Sequence, residues 1–164
     1  MPQTVHLTLT LKSGGAIKGD STQHSLERKD TIECSSFDYS CVIPLEGGSS
    51  SASGRRQHSP VTITKRVDKS TSLLFKAMCE FDTVEKGEFK FYRPSQSGEG
   101  NEEHFYSVVI ENGNVSGIRQ YSEDALTGEN VSPHAMEEVK FTFQKITWTY
   151  EIGGIMHTDS WSGE

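Results

Sequence analysis

At 164 residues the chain has room for one domain of ordinary size, expected over 1–164 without an internal boundary. Its 16 basic and 23 acidic residues leave a net charge of −7, a surface that repels a phosphate backbone and argues against nucleic-acid binding. No apolar run reaches the roughly 20 residues that membrane insertion needs. Leu, Ile, Val and Phe make up only about 21% of the residues, close to the level at which disorder becomes the default; a thin core completed against further copies of the chain is expected.

The dominant signal is period two. Val5, Leu7, Leu9 and Leu11 alternate with His6, Thr8 and Thr10, the pattern of a strand with one buried face, and His6 is read as solvent-exposed. The same alternation gives the N-terminus no basic start followed by an apolar stretch, so a cleaved leader is not expected. A turn at Ser13-Gly14-Gly15 is followed by a polar connection, then a long strand from Thr31 to Ile43. Pro44–Ser59 is a Gly/Ser-rich loop of a length that is usually functional or disordered. Val61–Arg66 reads as a strand. Next comes a short helix capped by Ser70 or Thr71, with Leu74, Phe75 and Met78 as its packing stripe. Strands follow at Val84–Arg93, His104–Glu111, Val115–Tyr121, Glu138–Glu151 and Ile155–Trp161, the last two joined across Gly153-Gly154.

Two of the strands change phase. Ile32 and Cys34 are followed by Phe37, Tyr39 and Cys41; Val139, Phe141 and Phe143 are followed by Ile146, Trp148 and Tyr150. A slip of one residue sends every later side chain to the opposite face. Ser35-Ser36 and Gln144-Lys145 are therefore read as bulges or bends where a strand passes from one sheet to another. The expected fold class is mainly β: a compact β-barrel or two-sheet sandwich with one short flanking α-helix.

Chemistry-bearing residues are scattered. The six histidines show no metal-ligand spacing, and no metal or other cofactor is expected. No GxSxG elbow is present. The carboxylates, Glu85, Glu88, Glu102, Glu103, Glu137 and Glu138 among them, read as solvated strand edges and turns, since a glycosidase needs two facing across a cleft. Cys34 and Cys41, on one extended strand, would stand about 23 Å apart, beyond the roughly 7 Å a disulfide spans. With Cys79, read as a packing residue, they are expected as reduced thiols. Arg55-Arg56-Gln57-His58 is the one basic cluster, at the end of the long loop, and is read as meeting an acidic patch on another copy.

Three blocks then carry a resemblance. IKGDSTQ at Ile17–Gln23 with RKDTIECSSFDYS at Arg28–Ser40, SGRRQHSPVTITKRVDKSTSLLFKAM at Ser53–Met78, and MEEVKFTFQKITWTYEIGGIMHTDSW at Met136–Trp161 resemble the haemolysin-coregulated proteins (Hcp) of the bacterial type VI secretion system. The resemblance implies a non-enzymatic tube subunit with the barrel-and-helix fold. Six copies would form a ring and rings would stack into a tube. A contractile sheath drives such a tube outward under a spike protein of the valine-glycine repeat family, with small effector proteins held in the lumen. The subunit would be made in the cytoplasm and secreted to the medium or a target cell. The ring-stacking loop would be 44–59, with Arg55, Arg56, Gln57 and His58; Asp38, on the face opposite Phe37 and Tyr39, is the lumen candidate.

The chain departs from the family pattern where Thr31, Phe37 and Tyr39 stand in place of Trp and Ser72 in place of Pro. It ends at Glu164, where some members continue into a toxin domain. Two alternatives compete: a phage-type tail-tube protein, which shares the architecture, and a β-barrel hydrolase using paired carboxylates.

Overall fold

The computed structural model describes residues 3–48, 50–51, 54–123, 126 and 134–161. Twelve strands and one helix are seen among them: β1 Thr4–Leu11, β2 Gly15–Ile17, β3 Ile32–Asp38, β4 Cys41–Val42, β5 Gln57–His58, β6 Val61–Arg66, α1 Thr71–Cys79, β7 Val84–Pro94, β8 Glu102–Gly113, β9 Val115–Tyr121, β10 Met136–Phe141, β11 Lys145–Tyr150 and β12 Ile155–Ser160. A single 3-10 turn lies at Ser25–Glu27.

Nine strands follow one antiparallel path, β12-β11-β8-β7-β1-β3-β6-β10-β9, with β2 paired beside β1. The mainly-β class with one helix is as expected, although hydrogen bonding runs unbroken through what the sequence suggested as two sheets. The path closes on itself because β8 runs into β9 through Asn114, and β10 into β11 through 142–144. The two bent segments stay side by side around the corner, with Thr142 N donating to Asn114 O at 2.9 Å and Gln144 N to Glu111 O at 3.1 Å. Gly113 sits at the crossing. A Cβ there would lie 1.8 Å from the Thr142 carbonyl oxygen, so the approach of the two corners requires glycine.

The phase changes have distinct causes. In β3 the register with β6 slips between Cys34 and Ser36, a β-bulge at the expected place. The long strand from Thr31 does not continue to Ile43: it stops at Asp38, and β4 pairs separately with β5. Likewise Glu138–Glu151 is two strands broken at 142–144, because the chain must leave the β9 side for the β8 side.

The core is a single cluster. Leu7, Leu9, Ile32, Val61, Ile63, Phe89, Ile110, Val139, Phe141 and Ile146 are fully buried in it. The helix covers its edge with Leu74 and Ala77, and Met78 packs half-buried beside them. Phe75 is half-buried and stands outside that cluster, so the buried stripe is Thr71-Leu74-Ala77 rather than the expected Leu74-Phe75-Met78. Ser70 makes no side-chain cap; Asp68 instead accepts from the Ser70 N–H at 2.9 Å and donates its own N–H to Thr71 Oγ1 at 3.1 Å.

His6 corrects the exposed reading: it is 1% exposed. β1 is central, and its second face is covered at His6 by Thr31 and by Tyr92, whose ring meets the imidazole edge-on at 5.4 Å, while Thr8 on the same face stays exposed. Cys34 is buried, and burial pushes its thiol up to about 12. Cys41 and Cys79 are exposed, which overturns the packing role for Cys79; all three are free thiols.

Candidate assembly surfaces

The long loop is closed at its base. The β4–β5 pairing sets Cys41 opposite His58 and Val42 opposite Gln57, and Ser59 N donates to Ser40 O at 2.8 Å. Beyond the base the loop presents Val42, Ile43 and Leu45, all more than half exposed. Positions 49, 52 and 53 lie outside the described residues.

The basic cluster divides into different tasks. Arg56 donates from Nε and Nη2 to the Asp159 carboxylate on β12, a bidentate pair. His58, buried, donates from Nε2 to the same carboxylate at 2.8 Å and accepts the Tyr39 hydroxyl at Nδ1. Its ring lies among Trp148, Trp161 and Phe143. Hydrogen bonds from Arg56, and more weakly from His58, hold Asp159 down to about 2 against the opposing effect of burial. Burial also raises the Tyr39 phenol above its ordinary value. Arg56 and His58 thus fasten the loop to the edge strand of their own chain, where the sequence had them meeting another copy. Gln57 and Arg55 are exposed beside them. The partner Asp159 lies 103 residues away, and only the tertiary fold reveals it.

Asp38 is exposed at the end of β3, opposite Thr62. The register makes it one residue of a broader polar wall. Ser36 faces Thr64, Thr62 faces Lys140, Thr64 faces Glu138, and Glu138 pairs with Arg119 at 3.6 Å. That wall is the outward face of β3, β6, β10 and β9. Its sequence signal is Thr and charge alternating with Ile63 and Val139, of which Asp38 is the one residue expected from the sequence.

A second apolar surface rises at the β11–β12 hairpin. Ile152, Ile155 and Met156 are 47%, 70% and 62% exposed, and β12 is an edge strand. Apolar residues on an unpaired sheet edge favour pairing with another chain.

A cleft of about 300 Å³ brings Asp20, Glu33 and Asp68 together with Arg66. Lys65 pairs with Asp68 at 3.0 Å and Lys69 stands 3.9 Å from Asp20. A carboxyl group serving as a general acid needs apolar surroundings that keep it protonated, and cations flank these instead. Among the described residues no three His, Cys, Asp or Glu side chains converge to hold a metal, and no helix is long and apolar enough to cross a membrane.

A bent, self-closing antiparallel barrel with one helix at its edge places the chain among small antiparallel β-barrel proteins. The family model described as "Type VI secretion system effector, Hcp" matches residues 9–150, and the chain belongs to that family. It is 33% identical over 153 residues to the "Major exported protein" of Pseudomonas aeruginosa strain PAO1, covering 92% of this chain and 88% of that one. Among solved structures it is similar to a mutant form of Hcp1 from E. coli EAEC 042, with a TM-score of 0.83, 30% identity and coverage of 96% and 98%. It is also similar to the secreted protein Hcp3 from Pseudomonas aeruginosa, with a TM-score of 0.78, 27% identity and coverage of 98% and 99%. The chain is a type VI secretion system Hcp tube protein.

Proposed function

We propose that six copies close into a ring and that rings stack into a tube, with the loop between β4 and β5 reaching the next ring. In this reading the polar wall carrying Asp38 faces the lumen and holds small effector proteins there. A hydroxyl-rich, mixed-charge surface suits cargo that must bind and later leave. The tube is built in the cytoplasm, grows under a spike protein of the valine-glycine repeat family inside a contractile sheath, and is exported with its cargo. The role is structural and not catalytic. What supports the reading is the apolar loop and hairpin of a chain whose family match spans residues 9–150.

Native mass spectrometry tests the ring: a hexamer or a multiple of six is expected, and a monomer persisting at high concentration refutes it. Stacking is tested with Arg55→Glu, because Arg56→Glu would set a carboxylate against Asp159 and unfasten the loop base. Shorter tubes in negative-stain micrographs are expected from an unchanged ring; tubes of unchanged length count against the loop.

A further inference from the structure

Between β2 and β3 the chain crosses the outer side of β1 as a strap, residues 20–31, and its backbone is strained. Leu26, Glu27 and Asp30 sit at φ of 55°, 60° and 59°, where a Cβ is disfavoured and the surroundings must hold the conformation. Arg28 does most of the holding. Its side chain is 4% exposed, forms an ion pair with Glu102 on β8, and donates from Nε to Ser25 O at 3.1 Å and from Nη2 to Ser25 Oγ at 2.6 Å. The guanidinium lies 4.8 Å above the Tyr92 ring, and the Tyr92 hydroxyl donates to Leu26 O at 3.1 Å.

His6 lies beneath this strap. Its Nδ1 is 2.9 Å from Thr31 Oγ1, and the Thr31 hydroxyl donates to Arg28 O at 2.7 Å. The one Thr31 proton is therefore engaged, so Nδ1 must be the donor and Nε2 carries the lone pair. Nε2 is buried with no hydrogen-bond partner among the described residues. A proton added there meets no acceptor and places a cation beside Arg28.

The groups facing the imidazole come from every side. The strap supplies Arg28 and Glu27; β3 sets Glu33 opposite; β7 carries Lys90 and Tyr92; β8 carries Glu102 and, against Tyr92, His104. Glu102 favours the proton but is engaged by Arg28, and Lys90 stands 3.7 Å from Glu27. Burial first, then Arg28, lowers His6 from 6.5 to about 4. An open hollow lined by Thr4, Gln23, Leu26 and Asn101 runs along the strap and gives water a way in.

We propose that the 20–31 strap is an acid-released element: a proton on His6 Nε2 lifts it from β1, relaxes the three left-handed residues and uncovers the His6 end of β1. Amide hydrogen exchange on the whole protein tests this, with peptides spanning 20–31 corrected for intrinsic exchange. With His6 at about 4 under the strap and 6.5 when released, the opening constant should rise about 70-fold from pH 7.5 to pH 4.5. His6→Gln keeps a donor for Thr31 and cannot titrate, so its strap should show no such rise. Glu102→Gln weakens the hold on Arg28 and should raise strap exchange already at pH 7.5. A wild-type strap that opens no more than β6 over this range overturns the proposal, as does an equal rise in His6→Gln. Should His6→Gln fail to fold, NMR titration of the wild-type imidazole decides: a pKa near 4 with strap amides following it supports the proposal, and a value near 6.5 or static strap amides overturns it.

Discussion

Lys65 and Glu137 face each other across β6 and β10, with side chains 0% and 1% exposed. The ammonium is fully engaged: it pairs with Glu137, reaches Asp68 at 3.0 Å and donates to Arg66 O at 2.9 Å. Glu137 also accepts from Thr71 Oγ1 at 2.8 Å and from Gln120 Nε2 at 3.2 Å. The cluster therefore ties the first turn of α1 to the barrel wall. Removing one partner of such a pair leaves an uncompensated buried charge and costs about 3–5 kcal/mol, whereas replacing both by apolar residues is often neutral or stabilising. In Glu137→Leu the residual Asp68 contact places the cost at about 3 kcal/mol, which for a domain of this size lowers the melting temperature by roughly 6–12 °C. Lys65→Met, which strands the carboxylate, should cost as much. The double variant should recover most of the loss. Urea unfolding followed by the fluorescence of Trp148 and Trp161 gives all four corners of the cycle. A double variant as unstable as the sum of the singles, or a single costing under about 1 kcal/mol, would refute the reasoning.

Two further outcomes follow from the geometry. Leu74→Ala should cost about 2–5 kcal/mol and Phe75→Ala clearly less, because Leu74 is fully buried in the core and Phe75 is not; melting temperatures in the reverse order would mean that the helix packs on its other face. Asp159→Asn should loosen the loop base at neutral pH. A carboxylate depressed from 3.8 to about 2 contributes stability above its ordinary value and loses it as pH falls through about 2. The urea midpoints of wild type and variant should therefore converge toward pH 2, and a constant separation would remove Asp159 as the cause.

Local pattern makes the longer strands, the helix and two phase shifts legible, but not the short β2 and β5. A one-residue slip in alternation is a backbone event, and two of them show in the sequence: Ser35-Ser36 is a bulge, and Lys145 opens a new strand after the break; the slips at Thr10/Leu11 and Phe91/Tyr92 leave no such mark. What stayed hidden depends on partners far along the chain. Alternation shows that one face of β1 is covered and cannot show that Thr31 and Tyr92 cover His6 on the other, so His6 reads as exposed. Arg56 read as free for another copy because Asp159 is distant in sequence. The helix face is hidden for a different reason: Ala77 completes the buried stripe three residues after Leu74, but a single methyl leaves little trace beside Phe75 and Met78.

The thin core also takes on a specific physical meaning. Several charged or polar side chains lie inside, Lys65 with Glu137, Arg28 with Glu102, His6 with Thr31, while Ile43, Leu45, Ile155 and Met156 lie outside. Buried pairs of this kind add little net stability compared with apolar replacements, but Lys65 with Glu137 and Arg28 with Glu102 are satisfied in only one arrangement of their strands. They fix the wall, the helix and the strap in place. The apolar residues that a self-sufficient barrel would bury are displayed on a loop and an edge strand instead, where burial at about 25 cal/mol per Å² becomes available on association. In the proposed ring, folding and assembly therefore draw on different interactions. Substitutions at Lys65 or Glu137 should act on the protomer, and substitutions at Leu45 or Ile155 on assembly, with little crossover between the two.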